Sequence, residues 1–171
     1  MYGYIKIPIT NKDLMRARTE IASNIGVQTE AKTTSNIKNQ RSVKMWRIPP
    51  NSWIWKFFSE ISEIANQEFN YEIDGIQDIQ YLEYEEGDYY ITHTDINDGA
   101  GGERKISMSW TLNDDYEGGD LKIYFGGESV VINNKSDEVI AFTSFMDHSV
   151  SEITNGKRQV LVCWIKGKRW R

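Results

Sequence analysis

The sequence is poor in the residue types that would tie it to several large protein classes. It has one cysteine, Cys163, so no disulfide can form within the chain. That cysteine lies in an apolar run, where a buried and unreactive thiol is expected. A chain without disulfides suits a reducing compartment, and a cytoplasmic location (host cytoplasm for a viral chain) is the expectation. No apolar run approaches the roughly 20 residues that a membrane-spanning helix requires. Residues 1–8 lack the basic-then-apolar pattern of a secretion signal, so no membrane association is expected. Positive charge is also in deficit: 20 Lys and Arg stand against 25 Asp and Glu, for a net charge of −5. A protein that coats nucleic acid nonspecifically carries the opposite balance. Proline occurs three times and histidine only twice, at His93 and His148.

Aromatic residues are plentiful. Six Trp, nine Tyr and six Phe favour a sheet-rich interior, and 171 residues suit one domain (1–171) with its own core. Residues 2–8 alternate as a strand does. Thr10 or Asn11 can cap a helix running to about residue 24, with Leu14, Ala17, Ile21 and Ile25 on one face. Residues 26–42 are rich in Thr, Ser, Asn, Gln and Lys and read as an exposed loop. A strand over 43–48 is stopped by Pro49-Pro50, and Asn51 is placed to cap a second helix. That helix carries Trp53, Ile54, Phe57, Phe58, Ile61, Ile64, Ala65 and Phe69 as an apolar stripe that would brace a sheet.

From Gln77 onward the period becomes 2. Strands are expected near 77–85, 88–95, 105–112, 120–125, 128–132, 138–143, 147–153 and 158–166. The breaks hold turn residues: Glu86-Gly87-Asp88, Asp98 to Gly102, Glu117-Gly118-Gly119, Gly126-Gly127, Asn133-Asn134 and Asn155-Gly156. Helices first and strands afterwards predict a mainly β, α+β domain. It would be a jelly roll, a cupin-like double-stranded β-helix, over about 77–171, with a helical buttress over about 1–76.

His93-Thr94-Asp95 carries the chemistry. On an extended strand, residues two apart share a face, so an imidazole and a carboxylate would stand side by side. One more imidazole completes the 2-His-1-carboxylate set of non-haem iron oxygenases, which leaves coordination positions open. His148 is the one remaining histidine, and a jelly roll can bring it back by pairing early and late strands. A lone strand histidine is more often an ordinary half-exposed residue. Arg158 leads the last expected strand, where it is either a solvated charge or a two-pronged clamp for a carboxylate in the barrel mouth. Its neighbour Lys157 would face solvent. Tyr84 and Tyr90, upstream of His93, suit either ligand contact or core packing.

The ordered series Gln80-Tyr81, Tyr84, Gly87, Tyr90-Ile-Thr-His93-Thr-Asp95, Arg104-Lys-Ile-Ser107, Leu112-Asn-Asp114 and Tyr116-Glu-Gly-Gly-Asp-Leu121 continues through Phe142-Thr-Ser144, His148-Ser-Val150, Thr154-Asn-Gly-Lys-Arg158 and Trp164-Ile-Lys-Gly167. Taken together, and with Arg41-Ser42 and Ala65-Asn66 upstream, it resembles the prolyl 4-hydroxylase-like branch of the Fe(II)/2-oxoglutarate-dependent dioxygenases, in particular its short phage and bacterial forms. The resemblance implies iron ligation by His93, Asp95 and His148, and capture of the far carboxylate of 2-oxoglutarate by Arg158 with help from Tyr84. Tyr90 would line the iron pocket, and Trp164 would lie near the co-substrate. Collagen-type relatives usually carry Lys where this chain has Arg158, and Phe142-Thr143 replaces their usual Phe-Pro.

The implied cofactors are Fe(II), 2-oxoglutarate and O2, with L-ascorbate as an optional addition. The implied reaction is hydroxylation of a C–H bond, with succinate and CO2 as co-products. A prolyl residue in a peptide or protein is the first expected substrate, for an enzyme acting as a monomer. A free amino acid, another side chain or a nucleobase is the alternative, as is a jelly-roll binding module without turnover. Residues 26–42 and 98–104 are candidate lids, and Arg104 and Trp46 candidate substrate contacts.

Overall fold

The computed structural model describes residues 3–24, 42–96 and 100–169. Its spine is β12 (Arg158–Gly167), which pairs antiparallel with β3 (Ile73–Tyr84) on one side and β5 (Arg104–Thr111) on the other. Beyond β5 lie β9 (Glu138–Thr143) and β1 (Tyr4–Pro8), and beyond β3 lies β2 (Lys44–Arg47). A second sheet has the order β4 (Tyr90–His93), β10 (His148–Val150), β7 (Leu121–Phe125), β8 (Glu128–Ile132). β6 (Tyr116–Gly118) and β11 (Ile153–Gly156) pair as a short ribbon. The described residues are thus mostly sheet with two α-helices, the expected double-stranded β-helix. Two of the six strands of the larger sheet, β1 and β2, come from the expected buttress region.

Side-chain alternation divides the large sheet into two faces. Ile79, Tyr81, Ile106, Met108, Trp110, Leu161 and Cys163 form one core with the helices α1 (Asn11–Asn24) and α2 (Trp53–Phe69). Phe57 of α2 stacks on Trp110 of β5, ring centroids 4.6 Å apart. Fully burying a side chain of this kind contributes on the order of 2–3 kcal/mol. The opposite face turns Leu82, Tyr84 and Val160 toward Val150 and Ile153. It is this inner face that holds the polar groups described below.

α1 begins as expected, with Thr10 Oγ1 accepting from the Asp13 N–H at 3.2 Å. Ile25, expected on its face, lies outside the described residues, as do 26–41 of the loop. Ser52, not Asn51, caps α2: its side chain accepts from the Ile54 N–H, because the chain leaving Pro50 makes another turn first. Ile64 falls off the buried stripe and is 47% exposed. β3 starts at Ile73, earlier than expected, because a register shift opposite Trp164 and Ile165 hides the alternation there. The single strand expected over 147–153 is two, since the chain changes partner at Ser151-Glu152, whose backbone bonds Asp120 and Gly119. Asn155-Gly156, read as a turn, ends β11, and β6 was not foreseen. The Cys163 thiol is fully buried as expected.

Candidate metal centre

β4 and β10 pair with His93 directly opposite His148, and the ring centroids are 4.2 Å apart. The pairing of an early and a late strand therefore does bring the two histidines together. Asp95 completes the group. Its carboxylate lies 3.9 Å from His93 Nε2 and 3.6 Å from His148 Nε2, and one ligand atom from each residue falls within 4.8 Å of the others. β4 ends at His93, so Asp95 does not share its face by strand geometry. Its place is set by hydrogen bonds instead. The Asp95 N–H donates to Ser144 O at 3.0 Å, and Ser107 Oγ donates to Asp95 Oδ2 at 2.5 Å.

Each imidazole is held in one tautomer. His93 Nδ1 is 2.8 Å from Ile91 O, and His148 Nδ1 is 3.0 Å from Met146 O. A carbonyl can only accept, so the hydrogen belongs on Nδ1, and Nε2 presents its lone pair to the centre of the group. Burial opposes ionisation of Asp95, but the positive charge the two histidines carry when protonated, with the Ser107 hydroxyl and the Trp164 indole, outweighs it and holds the carboxyl below its usual range. Two neutral nitrogens and one carboxylate oxygen, converging and mostly buried, are a donor set suited to Fe(II). Tyr90 stacks on His93 with centroids 3.6 Å apart, and Phe142 meets His148 edge-on at 4.8 Å. These rings restrict how the imidazoles can turn.

Arg158 is 1% exposed at the start of β12, paired with Tyr84. Its guanidinium carbon lies 5.5 Å from the centre of the Tyr84 ring. Its Nη2 donates to Thr111 Oγ1 at a long 3.4 Å, and its buried Nε has no partner. Among the described residues no carboxylate pairs with it. A buried, uncompensated cation costs several kcal/mol, and the carboxylate of a ligand would offset that cost. Gly119 allows the arrangement: it sits at φ +64°, and a Cβ there would lie 3.0 Å from Arg158 Cδ. Lys157 is exposed and ion-paired with Glu83 and Glu85, as expected of a solvent-facing residue.

The Trp164 indole lies beside the Asp95 carboxylate and helps to favour its ionised form. The Arg104 guanidinium covers the same ring at 4.1 Å, and Arg104 Nε donates to Gln77 Oε1. Trp46 packs on Tyr81 at 5.4 Å, on the helix side of the sheet, so it does not reach the site. Of the two candidate lids, 26–41 of the first and 98–99 of the second lie outside the described residues, and Ala100–Glu103 forms a 3-10 turn. A separate polar cavity of about 480 Å³ opens beside Gly119, between Tyr116 and residues 133–137; it includes neither the triad nor Arg158.

Four residues at the site had been given no role: Ser107, Thr111, Gly119 and Ser144, although all but Thr111 fall within the resemblance series. A signal for two of them exists. In Ile106-Ser107-Met108-Ser109-Trp110-Thr111 apolar and hydroxyl residues alternate, which marks a strand with one greasy and one hydroxyl-lined face. All three hydroxyl residues are buried. Ser144 and Gly119 carry no comparable mark.

Residues 79–166 match the family model described as the 2OG-Fe(II) oxygenase superfamily. The chain belongs to that superfamily. The cofactors of the superfamily, Fe(II), 2-oxoglutarate and O2, fit the donor set and the unpaired Arg158. A PKHD-type hydroxylase of Synechococcus sp. (strain CC9311) is 39% identical over 79 residues, 45% of this chain and 36% of the relative. One from Prochlorococcus marinus (strain NATL2A) is 32% identical over 93 residues, 53% of this chain and 42% of the relative. The matched region thus spans well under half of these longer proteins. Among solved structures, a Pseudomonas putida prolyl-4-hydroxylase superposes with a TM-score of 0.77 at 19% identity, covering 97% of this chain and 93% of its own. A prolyl hydroxylase from Trichoplax adhaerens, in complex with a hypoxia inducible factor oxygen degradation domain peptide fragment, gives 0.79 at 20% identity, covering 96% and 83%. The superfamily fold is shared more widely: the non-heme alpha ketoglutarate dependent epimerase SnoN gives 0.75 at 11% identity, covering 96% and 78%. No described helix is long and apolar enough to cross a membrane.

Proposed function

We propose that this chain is an Fe(II)- and 2-oxoglutarate-dependent dioxygenase that hydroxylates a prolyl residue in a peptide or protein. The observation that carries the reading is the convergence of His93, His148 and Asp95 ligand atoms within 4.8 Å, together with a buried Arg158 whose Nε has no partner. His93, Asp95 and His148 would hold the iron, and Arg158 with Thr111 would take the far carboxylate of the co-substrate. When bound, iron and 2-oxoglutarate supply the activation of O2 and the oxidation of an unactivated C–H bond, with succinate and CO2 released.

The protein's part is orientation and exclusion of water. The Ile91 and Met146 carbonyls keep both imidazoles facing inward. Arg158 gives the co-substrate one direction, because a fork of N–H donors recognises a planar carboxylate. Leu82, Val150, Ile153 and Val160 pack in one apolar cluster with Tyr84, the strand partner of Arg158, and an apolar setting strengthens a charge pairing. No side chain is required as a general base, and none is assigned.

The prolyl substrate is favoured by the PKHD-type hydroxylase relatives and by the two prolyl hydroxylase structures, one of them holding a peptide. A likeness of fold does not set a substrate, as the epimerase neighbour illustrates. The test is to incubate the protein with Fe(II), 2-oxoglutarate and a library of proline-containing peptides, following succinate and peptide mass. Succinate together with a 16-dalton gain on proline supports the proposal. Succinate with no gain on any proline peptide points to a free amino acid, another side chain or a nucleobase. No succinate under any condition points to a binding module.

A further inference from the structure

The Asp95 carboxylate has a supporting chain of its own. Ser107 lies on the inner face of β5 and is 2% exposed; Ser144 lies in the turn between β9 and β10 and is fully buried. Ser107 Oγ is 2.5 Å from Asp95 Oδ2 and 2.9 Å from Ser144 Oγ. An ionised carboxylate has no hydrogen to give, so Ser107 must donate to Asp95. Its single hydrogen is then committed, and Ser144 must donate to Ser107. The direction is therefore fixed: Ser144 to Ser107 to Asp95.

Ser144 also acts through its backbone, since its carbonyl accepts the Asp95 N–H at 3.0 Å. Its own N–H donates to Lys105 O on β5, so the turn is tied to the same strand that carries Ser107. Asp95 is thus gripped at both ends, main chain and carboxylate, by two serines from different elements. Ser144 precedes His148 by four residues in a tight turn closed by the Met146 N–H on Thr143 O. The same short segment therefore leads into one histidine and positions the aspartate. Asp95 needs such help because it lies beyond the end of β4, with no ladder partner to orient it.

We infer that Ser107 and Ser144 form a two-hydroxyl relay that sets the rotation of the Asp95 carboxylate, and that they are positioning residues for the metal. The inference rests on the triad reading above. It goes beyond that reading by assigning two residues that touch neither metal nor co-substrate. A hydroxyl bound to one carboxylate oxygen keeps that group from turning, and a pre-oriented ligand binds metal at lower entropic cost.

The experiment is an anaerobic titration of the full chain with Fe(II), repeated with Co(II) so that the visible spectrum reports ligand geometry. The variants are S107A, S107T, S144A, the double S107A/S144A, and S109A as the control for loss of a neighbouring inner-face hydroxyl. S107A should weaken metal binding about 10- to 100-fold, the usual effect of removing an outer partner of a ligand, and alter the Co(II) spectrum. S107T, which keeps the hydroxyl, should restore both. S144A should weaken binding less, and the double variant no more than S107A alone, because Ser144 Oγ works through Ser107. S109A should match the parent. The thermal midpoint of each metal-free variant identifies any that fails to fold, and the S144A and double-variant arms stand without S107T.

The relay is overturned by S107A binding metal within twofold of the parent, by additive losses in the double variant, or by an equal loss in S109A. Failure of the parent itself to bind metal is a different outcome, and it removes the triad reading along with the relay.

Discussion

His93 and His148 occupy the same rung of an antiparallel strand pair, and each turns its Nδ1 to a carbonyl two residues upstream. The two imidazoles are therefore aligned by backbone pairing and locked by the same local bond. Neither depends on the other for its tautomer. His93→Ala and His148→Ala should each lower Fe(II) affinity at least 100-fold while leaving the metal-free fold nearly intact. Calorimetric titration with the metal, beside a thermal melt without it, checks this. A variant that keeps parental affinity would remove that histidine from the ligand set.

Arg158 should stabilise the complex at the expense of the free protein. It is buried, and no carboxylate among the described residues pairs with it. Arg158→Met should raise the unfolding free energy of the ligand-free protein by about 1–4 kcal/mol, as replacement of poorly compensated buried charge often does. The same change should weaken 2-oxoglutarate binding by a factor of 100 or more. Arg158→Lys should retain part of the binding, since Lys keeps the charge but loses the fork. Denaturant melts with and without 2-oxoglutarate separate the two effects. A destabilised Arg158→Met protein would mean that the guanidinium is compensated within the fold.

Cys163 predicts an alkaline limit. Burial pushes its thiol well above the ordinary range. The thiol stays neutral when folded, whereas it ionises in the unfolded chain near the ordinary thiol value of 9.0. Its contribution is therefore complete below pH 9 and lost as pH rises toward the folded value. The loss approaches about 1.4 kcal/mol per pH unit for one proton. Cys163→Ala should flatten the stability curve above pH 9 by that amount relative to the parent. In the parent, alkylation of the thiol should require unfolding. Equal slopes for both proteins, or rapid alkylation of the native thiol, would contradict the buried placement.

The helix layer can be tested apart from the site. Phe57 stacks on Trp110, and both are at least 95% buried. Phe57→Ala should cost about 3–5 kcal/mol. The metal groups lie on the other face of the sheet, so Fe(II) affinity in the folded fraction should not change. A large change would mean that the two faces are coupled through β5.

Much of this was legible in the residues. The switch from a helical to a two-residue period near Gln77 located the sheet, and with two histidines in the chain His148 was the only available partner for His93. The reading of Asp95 reached the right place for a partly wrong reason. Strand alternation was expected to put it beside His93, but the strand stops first, and a hydrogen bond from the Ser107 hydroxyl and one to the Ser144 carbonyl take over. Such bonds join residues distant in sequence and leave no periodic trace. Trp164, which the resemblance places near the co-substrate, lies beside the Asp95 carboxylate. The cap at Ser52 and the split strand after Val150 were missed because both depend on which neighbour the backbone finds, a tertiary matter. The face Trp46 takes follows from its register opposite Tyr81, which no local pattern in the sequence carries.

On the proposed function, three side chains from two strands and one turn would hold a single iron. Crystals soaked anaerobically with Fe(II) and 2-oxoglutarate, measured at the iron absorption edge, test it most directly. The expected result is one anomalous peak within bonding distance of His93 Nε2, His148 Nε2 and an Asp95 oxygen, with co-substrate density running from it to Arg158. Absence of a peak there, or a peak at another site with the triad unaltered, would contradict it.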